Sequence, residues 1–177
     1  MPAQATPRDR SGTSGNGATA DAPSVGPADY RRVLGHFPSG VTLVTSADGN
    51  GPLGFACQAF SALSLDPPLV LFSVAHTSTT WPRIKATGRF CVNFLATGQS
   101  AICRSFAVSG SDKFAGVEWH GSDLGSPIID GVHGWVDCVI EAEYPGGDHT
   151  IVVGRVHALD AHSETKPLVF HRGDFGL

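Results

Sequence analysis

The side chains most able to do chemistry in this chain stand together in one short segment, Gly147-Asp148-His149. Histidine changes its charge most readily near neutral pH, and its ring donates or accepts hydrogen bonds according to its tautomer. Taken alone, this segment has the composition of a hairpin turn, in which glycine permits positive φ and the aspartate caps the loop. A chemical role for His149 and a tight turn at Gly147 are therefore compatible expectations.

Metal chemistry has no comparable support in the sequence. The chain has four cysteines but no C-x-x-C pair, and its eight histidines form neither an H-x-H nor an H-E-x-x-H cluster. We therefore predict no metal site and interpret the cysteines as reduced core residues of a cytoplasmic protein. The cysteines are Cys57, Cys91, Cys103 and Cys138.

The segment Gly49–Gly54 matches the G-x-G-x-x-G pattern of a dinucleotide fingerprint in its residue types but not in its predicted structural context. Such a fingerprint needs a helix directly after the glycines, so that its free N–H groups meet a diphosphate. Here Pro52 lies inside the pattern, and the strand-like segment Phe55–Phe60 follows it. We interpret Ala47–Gly51 as a hairpin loop.

Composition excludes several classes of partner. The chain has 177 residues, a net charge of -4 and a pI near 6.0, and it has no run of Lys and Arg, so a nucleic-acid partner is not expected. No apolar run approaches the roughly 20 residues that cross a bilayer, and the N-terminus lacks the apolar stretch of a secretion signal. We expect a soluble cytoplasmic protein without a membrane partner.

The domain that positions these residues is expected to span residues 30–177. Residues 1–29 are mostly Ala, Gly, Ser, Thr and Pro, which bury too little apolar surface to offset ordering, so we predict a disordered leader. Order is expected to begin with a helix over Pro27–Leu34, because Pro27 suits a first turn and Tyr30, Val33 and Leu34 fall on one stripe.

The remaining pattern is mostly β. Turn residues separate the strand-like segments, and only two further helices are predicted, one from Ser78 or Thr79 to Gly88 and one over Gln99–Phe106. This inventory predicts an antiparallel split β-barrel with short capping helices rather than a doubly wound parallel sheet. The predicted strands are Val41–Thr45, Leu53–Phe60, Leu69–Val74, Phe90–Leu95, Trp135–Glu143 and Thr150–Leu159.

Several segments occur in the order and spacing of the flavin reductase-like proteins, the NAD(P)H-dependent reductases of two-component flavin monooxygenases. The resemblance covers Tyr30–Leu177, and its part over Ser111–Gly116 and Tyr144–His149 is similar to reductases of actinomycete antibiotic pathways. The other segments that carry it are Phe37–Thr45, Gly54–Phe60, Ser64–Val70 and Val92-Asn93.

The resemblance implies a dissociable FAD or FMN and NADH as hydride donor, in an FMN-binding split barrel. It implies that the isoalloxazine ring lies beside Phe55, Ala56, Cys57, Gln58 and Ala59. Many relatives have small hydroxyl residues and often Asn in this strand, so weaker flavin binding is expected here. The loop His76, Thr77, Ser78, Thr79 and Thr80 and the side chain of Lys113 are expected at the flavin phosphate, and Phe106 and Phe114 in the pocket wall.

For catalysis, the resemblance implies that His149 lies on the nicotinamide side of the flavin and that Asp148 braces its turn. Both reacting atoms of a hydride transfer belong to cofactors, so the expected role of His149 is positioning rather than acid–base catalysis. The family further implies a homodimer and a flavin-dependent monooxygenase partner. The alternatives are a flavin- or haem-binding barrel without catalysis, a pyridoxamine-phosphate oxidase-like enzyme, and a purely structural or interaction protein.

Overall fold

The structure is a computed structural model that describes residues 25–110 and 112–176. Within those residues the chain forms three helices and twelve strands. The helices are α1 Pro27–Leu34, α2 Trp81–Thr87 and α3 Ser100–Ala107. The strands are β1 Ser39–Gly40, β2 Thr42–Asp48, β3 Gly51–Cys57, β4 Phe60–Leu65, β5 Pro68–Ala75, β6 Arg89–Phe94, β7 Trp119–Gly121, β8 Pro127–Ile129, β9 Gly134–Gly146, β10 His149–Ala161, β11 Val169–His171 and β12 Asp174–Phe175.

Seven strands make one antiparallel sheet in the order β3-β2-β6-β9-β10-β5-β4. The ends of this sheet meet at the connection between β3 and β4. The Ala59 carbonyl accepts a hydrogen bond from Ser73 N at 3.0 Å, and the Cys57 thiol lies 3.6 Å from the Ser73 carbonyl oxygen. The fold is the expected antiparallel split barrel.

This closure corrects the predicted strand Leu53–Phe60. The strand β3 ends at Cys57, the chain crosses at Gln58 and Ala59, and β4 begins at Phe60. The reason is the pairing, since β3 pairs with β2 whereas β4 pairs with β5. One apolar run therefore serves two strands.

Both faces of the central strands are buried. Along β2, Val44 packs into the barrel core with Phe72 and Phe90, whose ring centroids are 5.1 Å apart. Its neighbour Leu43 packs into a second cluster between the sheet and α3, together with Phe106. Adjacent residues of a strand point to opposite faces, so one strand supplies two cores.

The four cysteines are buried free thiols, as the sequence predicts. Burial raises the pKa of the Cys57 thiol to about 11 and that of the Cys138 thiol to about 12, and it also raises the pKa values of Cys91 and Cys103. A thiol with such a pKa stays protonated at neutral pH and is a poor nucleophile. The cysteines act as small apolar residues of the core.

The helices agree with prediction, with one correction. Helix α1 spans Pro27–Leu34, and α3 lies within one residue of its predicted bounds. Helix α2 begins at Trp81 instead of at Ser78 or Thr79, because the Ser78 hydroxyl accepts a hydrogen bond from Trp81 N at 3.1 Å and remains outside the helix. None of the helices in the described residues is long and apolar enough to cross a membrane.

The predicted leader lies largely outside the described residues, which begin at residue 25, and Pro27–Asp29 belong to α1. Three other features were not predicted from the sequence. These are β4, the hairpin of β7 and β8, and the small sheet of β1, β11 and β12.

Candidate active site

A cleft of about 560 Å³ opens at the junction of β3 and β4. We call it the central cleft. It is bounded by the end of β3, the end of β5, helix α3, the start of β10 and the C-terminal strands. Three groups of predicted site residues meet here: Phe55–Ala59, Ser78 and His149. Its volume lies within the roughly 300–1,000 Å³ range of small-molecule sites.

The β3 wall of the central cleft is rigid and mostly apolar. Phe55 and Cys57 are buried, and the Phe55 ring lies 6.1 Å from the Phe72 ring. The Cys57 carbonyl accepts a hydrogen bond from the Thr42 hydroxyl at 2.7 Å, which fixes the end of the strand. Gln58 and Ala59 follow in the crossing segment and are exposed. This wall is mostly apolar along β3 and ends in the exposed Gln58 and Ala59.

His149, the first residue of β10, lines another part of the central cleft. It pairs with Gly146 of β9 and with Ala75 of β5, so the backbone on both sides holds it. Gly147 has φ +76°, which glycine adopts without strain, so the predicted turn is confirmed. The turn places the imidazole at the cleft with 42% of its side chain exposed.

Asp148 orients this imidazole. The His149 Nδ1–H donates to the Asp148 carboxylate at 2.7 Å, and this hydrogen bond lowers the pKa of Asp148. Because an ionised carboxylate only accepts, Nδ1 carries a proton and Nε2 remains for a ligand. The Asp148 carbonyl also accepts from His76 N at 3.0 Å, which joins the turn to the loop after β5.

A second cleft, of about 390 Å³, lies beside the first. We call it the polar cleft. It is lined by Thr79, Thr80, Arg83, Lys113 and Phe114, among others. Both β3 and the loop after β5 run along the two clefts. In β3, Gly54 lines the polar cleft and Phe55 lines the central cleft. In the loop, Thr79 lines the polar cleft and Ser78 lines the central cleft. The two clefts are therefore lined by neighbouring residues of the same two segments.

Two cations are fixed at the polar cleft. The Lys113 ammonium donates to the Gly54 carbonyl at 3.0 Å, and partial burial lowers the pKa of this lysine. The Arg83 guanidinium donates to both oxygens of Asp48, at 2.9 and 3.0 Å. An ammonium has three donors, so Lys113 keeps two for an anion. The cleft combines these cations with the hydroxyls of Thr79 and Thr80 and with one carboxylate residue, Asp112.

With this geometry in place, comparison with known proteins assigns the family. Residues 34–176 match the flavin reductase like domain. The chain belongs to the flavin reductase-like family. This membership agrees with the split barrel and with the two clefts along β3.

Named relatives of this flavin reductase-like chain are reductase components. The chain is 48% identical to the flavin-dependent monooxygenase reductase subunit HsaB of Rhodococcus jostii over 92% of this chain and 83% of the relative. A crystal structure of nitrilotriacetate monooxygenase component B from Mycobacterium thermoresistibile shares 50% identity over 84% of each chain, with a TM-score of 0.81. The NADH:FAD oxidoreductase SgcE6 of Streptomyces globisporus, solved with NAD and FAD fragments, shares 36% identity over 88% of this chain and 96% of its own, with a TM-score of 0.81.

Four predicted site residues of this flavin reductase-like chain line neither of the two clefts. Asp148 is 93% exposed and reaches the central cleft only through its hydrogen bond to His149. His76 and Thr77 are exposed in the loop after β5. Phe106 is 1% exposed and belongs to the core, where its ring contacts the Phe114 ring at 4.9 Å. Packing alone accounts for Phe106, which supports Phe114 from behind.

Other cleft residues escaped the sequence reasoning. Arg83 and Arg104 lie on short helices and carry no local signature, although both fall on the exposed face of their helix. Phe170 and Phe175 reach the central cleft because β11 pairs with both β1 and β12. The pairing of β11 with β1 joins residues more than 100 positions apart, such as Ser39 and Phe170, so no local pattern reveals it.

Proposed function

We propose that this protein is an NADH-dependent flavin reductase that transfers hydride from NADH to dissociable FAD or FMN and supplies reduced flavin to a flavin-dependent monooxygenase. The observation that carries the proposal is that the central and polar clefts are lined by adjacent residues of β3 and of the loop after β5. A mostly apolar cleft next to one that holds Lys113 and Arg83, with Asp112 as its one acidic residue among those described, fits a ring with a phosphate tail. Membership in the family and the names of the relatives support the same activity.

In the proposed mechanism, a bound flavin accepts hydride from the nicotinamide, and the protein supplies orientation and electrostatics. The wall Phe55–Ala59 holds the ring, with backbone groups available at the crossing segment. His149, fixed by Asp148, presents Nε2 toward the nicotinamide side. No protein nucleophile is required, which agrees with the protonated thiol of Cys57.

The activity is tested by mixing purified protein with NADH and excess FAD or FMN and following the nicotinamide and flavin absorbance bands. Catalytic NADH oxidation supports the proposal. Flavin binding without turnover would instead indicate a non-catalytic flavin-binding barrel, and oxidation of pyridoxamine phosphate would indicate the pyridoxamine-phosphate oxidase-like alternative. Repeating the assay with NADPH and with both flavins establishes the preferred pair.

Replacement of His149 by alanine is expected to raise the KM for NADH about 10-fold and to leave the Kd for flavin within twofold, because one positioned hydrogen bond to the nicotinamide side is lost. Steady-state kinetics and flavin titration check this. The matched control is His120→Ala. Its Nδ1 contacts Asp130 at 2.9 Å in a similar pair, but His120 lines neither cleft. Unchanged kinetics in His149→Ala would refute its positioning role.

Replacement of Lys113 by methionine is expected to raise the KM for FMN about 10-fold while leaving the KM for riboflavin unchanged. Only FMN carries the phosphate that the ammonium would bind, and a charged hydrogen bond contributes about 1.5–3 kcal/mol. Kinetics with both flavins provide the test, with the exposed Lys166→Met as control. An equal loss with riboflavin would show that Lys113 supports only the structure.

The proposal includes a homodimer, and the surface of α1 supports it. None of its residues is buried, and Tyr30, Val33 and Leu34 are 59%, 53% and 52% exposed on one stripe. Light scattering is expected to give about twice the chain mass of 18.4 kDa. Val33→Asp is expected to lower that mass, whereas Arg32→Asp on the polar side is not. A monomeric mass for the unmodified chain would contradict this arrangement.

The remaining parts of the proposal concern context. A cytoplasmic location is supported by the four buried free thiols, which suit a reducing compartment. The monooxygenase partner is supported by the names of the relatives. An antibiotic pathway stays a prediction: SgcE6 shares 36% identity, less than the 48% shared with HsaB. Reconstitution with candidate oxygenases, scored by product formation, tests the partner directly.

A further inference from the structure

Arg104 is a cation at the central cleft that the mechanism above does not use. It lies in the last turn of α3, between Cys103 and Phe106, which both face the core. Cys103, Arg104 and Ala107 all line the central cleft. Helix α3 therefore presents an exposed guanidinium at a wall made mostly of apolar and neutral groups.

This guanidinium is held by an aromatic ring rather than by a carboxylate. Its Cζ atom lies 5.3 Å from the centroid of the Phe175 ring, which in turn packs edge-on against Phe170 at 5.3 Å. In the described part of the chain, Arg104 takes part in none of the six ion pairs, whereas Arg32, Arg83 and Arg155 each do. Stacking orients a guanidinium while leaving the N–H groups at its edge able to donate.

The described residues of the central cleft therefore include a positively charged side chain and no carboxylate. Among the residues that the structure describes, 25–110 and 112–176, Arg104 is the only ionisable side chain at this cleft besides the His149 imidazole and the cysteine thiols. A positive group without a carboxylate partner, at the edge of an apolar cleft, favours an anionic part of the ligand. The phosphate proposed to bind Lys113 lies in the neighbouring polar cleft, so Arg104 remains available to bind a second anionic group.

We propose that Arg104 binds the diphosphate of a dinucleotide whose ring occupies the central cleft, and that it determines affinity for that dinucleotide. The inference rests on the proposed function for the identity of the ring. Two ligands carry such a diphosphate, NADH and FAD. In FAD, the phosphate shared with FMN would lie at Lys113, and Arg104 would contact the second phosphate, which belongs to the adenylate half. FMN carries only the monophosphate and does not need this contact.

Two variants separate charge from packing. Arg104→Met keeps an apolar stem over Phe175 but removes the charge, and Arg104→Lys keeps the charge without the planar fork. If the diphosphate belongs to NADH, Arg104→Met raises the KM for NADH about 10- to 100-fold with either flavin. If it belongs to FAD, the KM for FAD rises by that factor while that for FMN is unchanged. In both cases kcat changes less than twofold, and Arg104→Lys recovers part of the loss.

The control is Arg155→Met, which removes the same charge from a pair with Glu141 away from both clefts. Calorimetric titration with ADP, a diphosphate probe that takes no part in hydride transfer, supplies a readout independent of turnover. ADP binding weakened in Arg104→Met supports the inference even if the protein oxidises no NADH. Unchanged KM values for NADH and FAD together with unchanged ADP affinity in Arg104→Met overturn it, even in an active reductase.

Discussion

Replacement of Asn93 by alanine is expected to lower the free energy of unfolding by about 3 kcal/mol. The Asn93 side chain is 0% exposed in β6. Its amide donates to the Thr45 hydroxyl at 2.9 Å and to the Pro127 carbonyl at 3.2 Å, and its oxygen accepts from Ile129 N at 2.8 Å. The alanine leaves the buried Ile129 N–H without its acceptor, which costs roughly 1–3 kcal/mol, removes the amide hydrogen bonds to Thr45 and Pro127, which still bond to each other, and adds a cavity.

The substitution of Asn93 is also expected to affect the candidate site, because the hydrogen bonds of Asn93 to Pro127 and Ile129 connect the hairpin of β7 and β8 to the main sheet. Trp119 of β7 packs against Phe114 with ring centroids 6.0 Å apart, next to Lys113. Loosening this hairpin is expected to raise the KM for FMN as well. Urea unfolding gives the stability, and flavin kinetics below the transition give the second effect.

Asn50→Ala is the matched control, since Asn50 is exposed in the loop between β2 and β3. It removes the same amide from a solvated position, and a change within about 0.5 kcal/mol is expected. A loss below 1 kcal/mol for Asn93→Ala would show that water or local rearrangement replaces its hydrogen bonds.

Replacement of Gly54 by alanine is expected to destabilise the protein by about 2 kcal/mol and to weaken flavin binding. A Cβ at this position would lie 2.6 Å from Cε1 of Phe106 and 3.1 Å from the Val44 carbonyl oxygen. Phe106 is fully enclosed, so its ring can move only by disturbing the core, and overpacking of this kind costs about 1–3 kcal/mol. The Gly54 carbonyl also accepts the hydrogen bond from Lys113, so a displaced β3 moves the cation of the polar cleft.

Thermal unfolding and titration with FMN and riboflavin measure the two consequences separately. FMN binding is expected to weaken more than riboflavin binding, because the shift acts through Lys113. The control is Gly49→Ala in the adjacent hairpin loop, where an added Cβ would have no atom within 4 Å. Equal melting temperatures for the two variants would contradict the proposed close packing of Gly54 on Phe106.

Much of the fold follows from local pattern. The strand and helix segments, the hairpin at Ala47–Gly51 and the turn at Gly147 depend on residue spacing and on the conformational freedom of glycine, which act over a few residues. The burial of the four cysteines was predicted from their apolar neighbours in the sequence. The division of Leu53–Phe60 into β3 and β4 does not, because it depends on which strands pair at the closure of the barrel.

Some features of the candidate site could likewise be predicted from the sequence, and others could not. By itself, the sequence determined that a Gly-Asp-His turn carries an imidazole beside a carboxylate, and its resemblance to a family pointed to the residues of β3 and of the loop after β5. Only the tertiary structure decided that these segments line two neighbouring clefts, that Phe106 belongs to the core, and that Arg83 and Arg104 line those clefts. Neighbours across a cleft are set by long-range strand pairing and packing, and no pattern of adjacent residues contains that information.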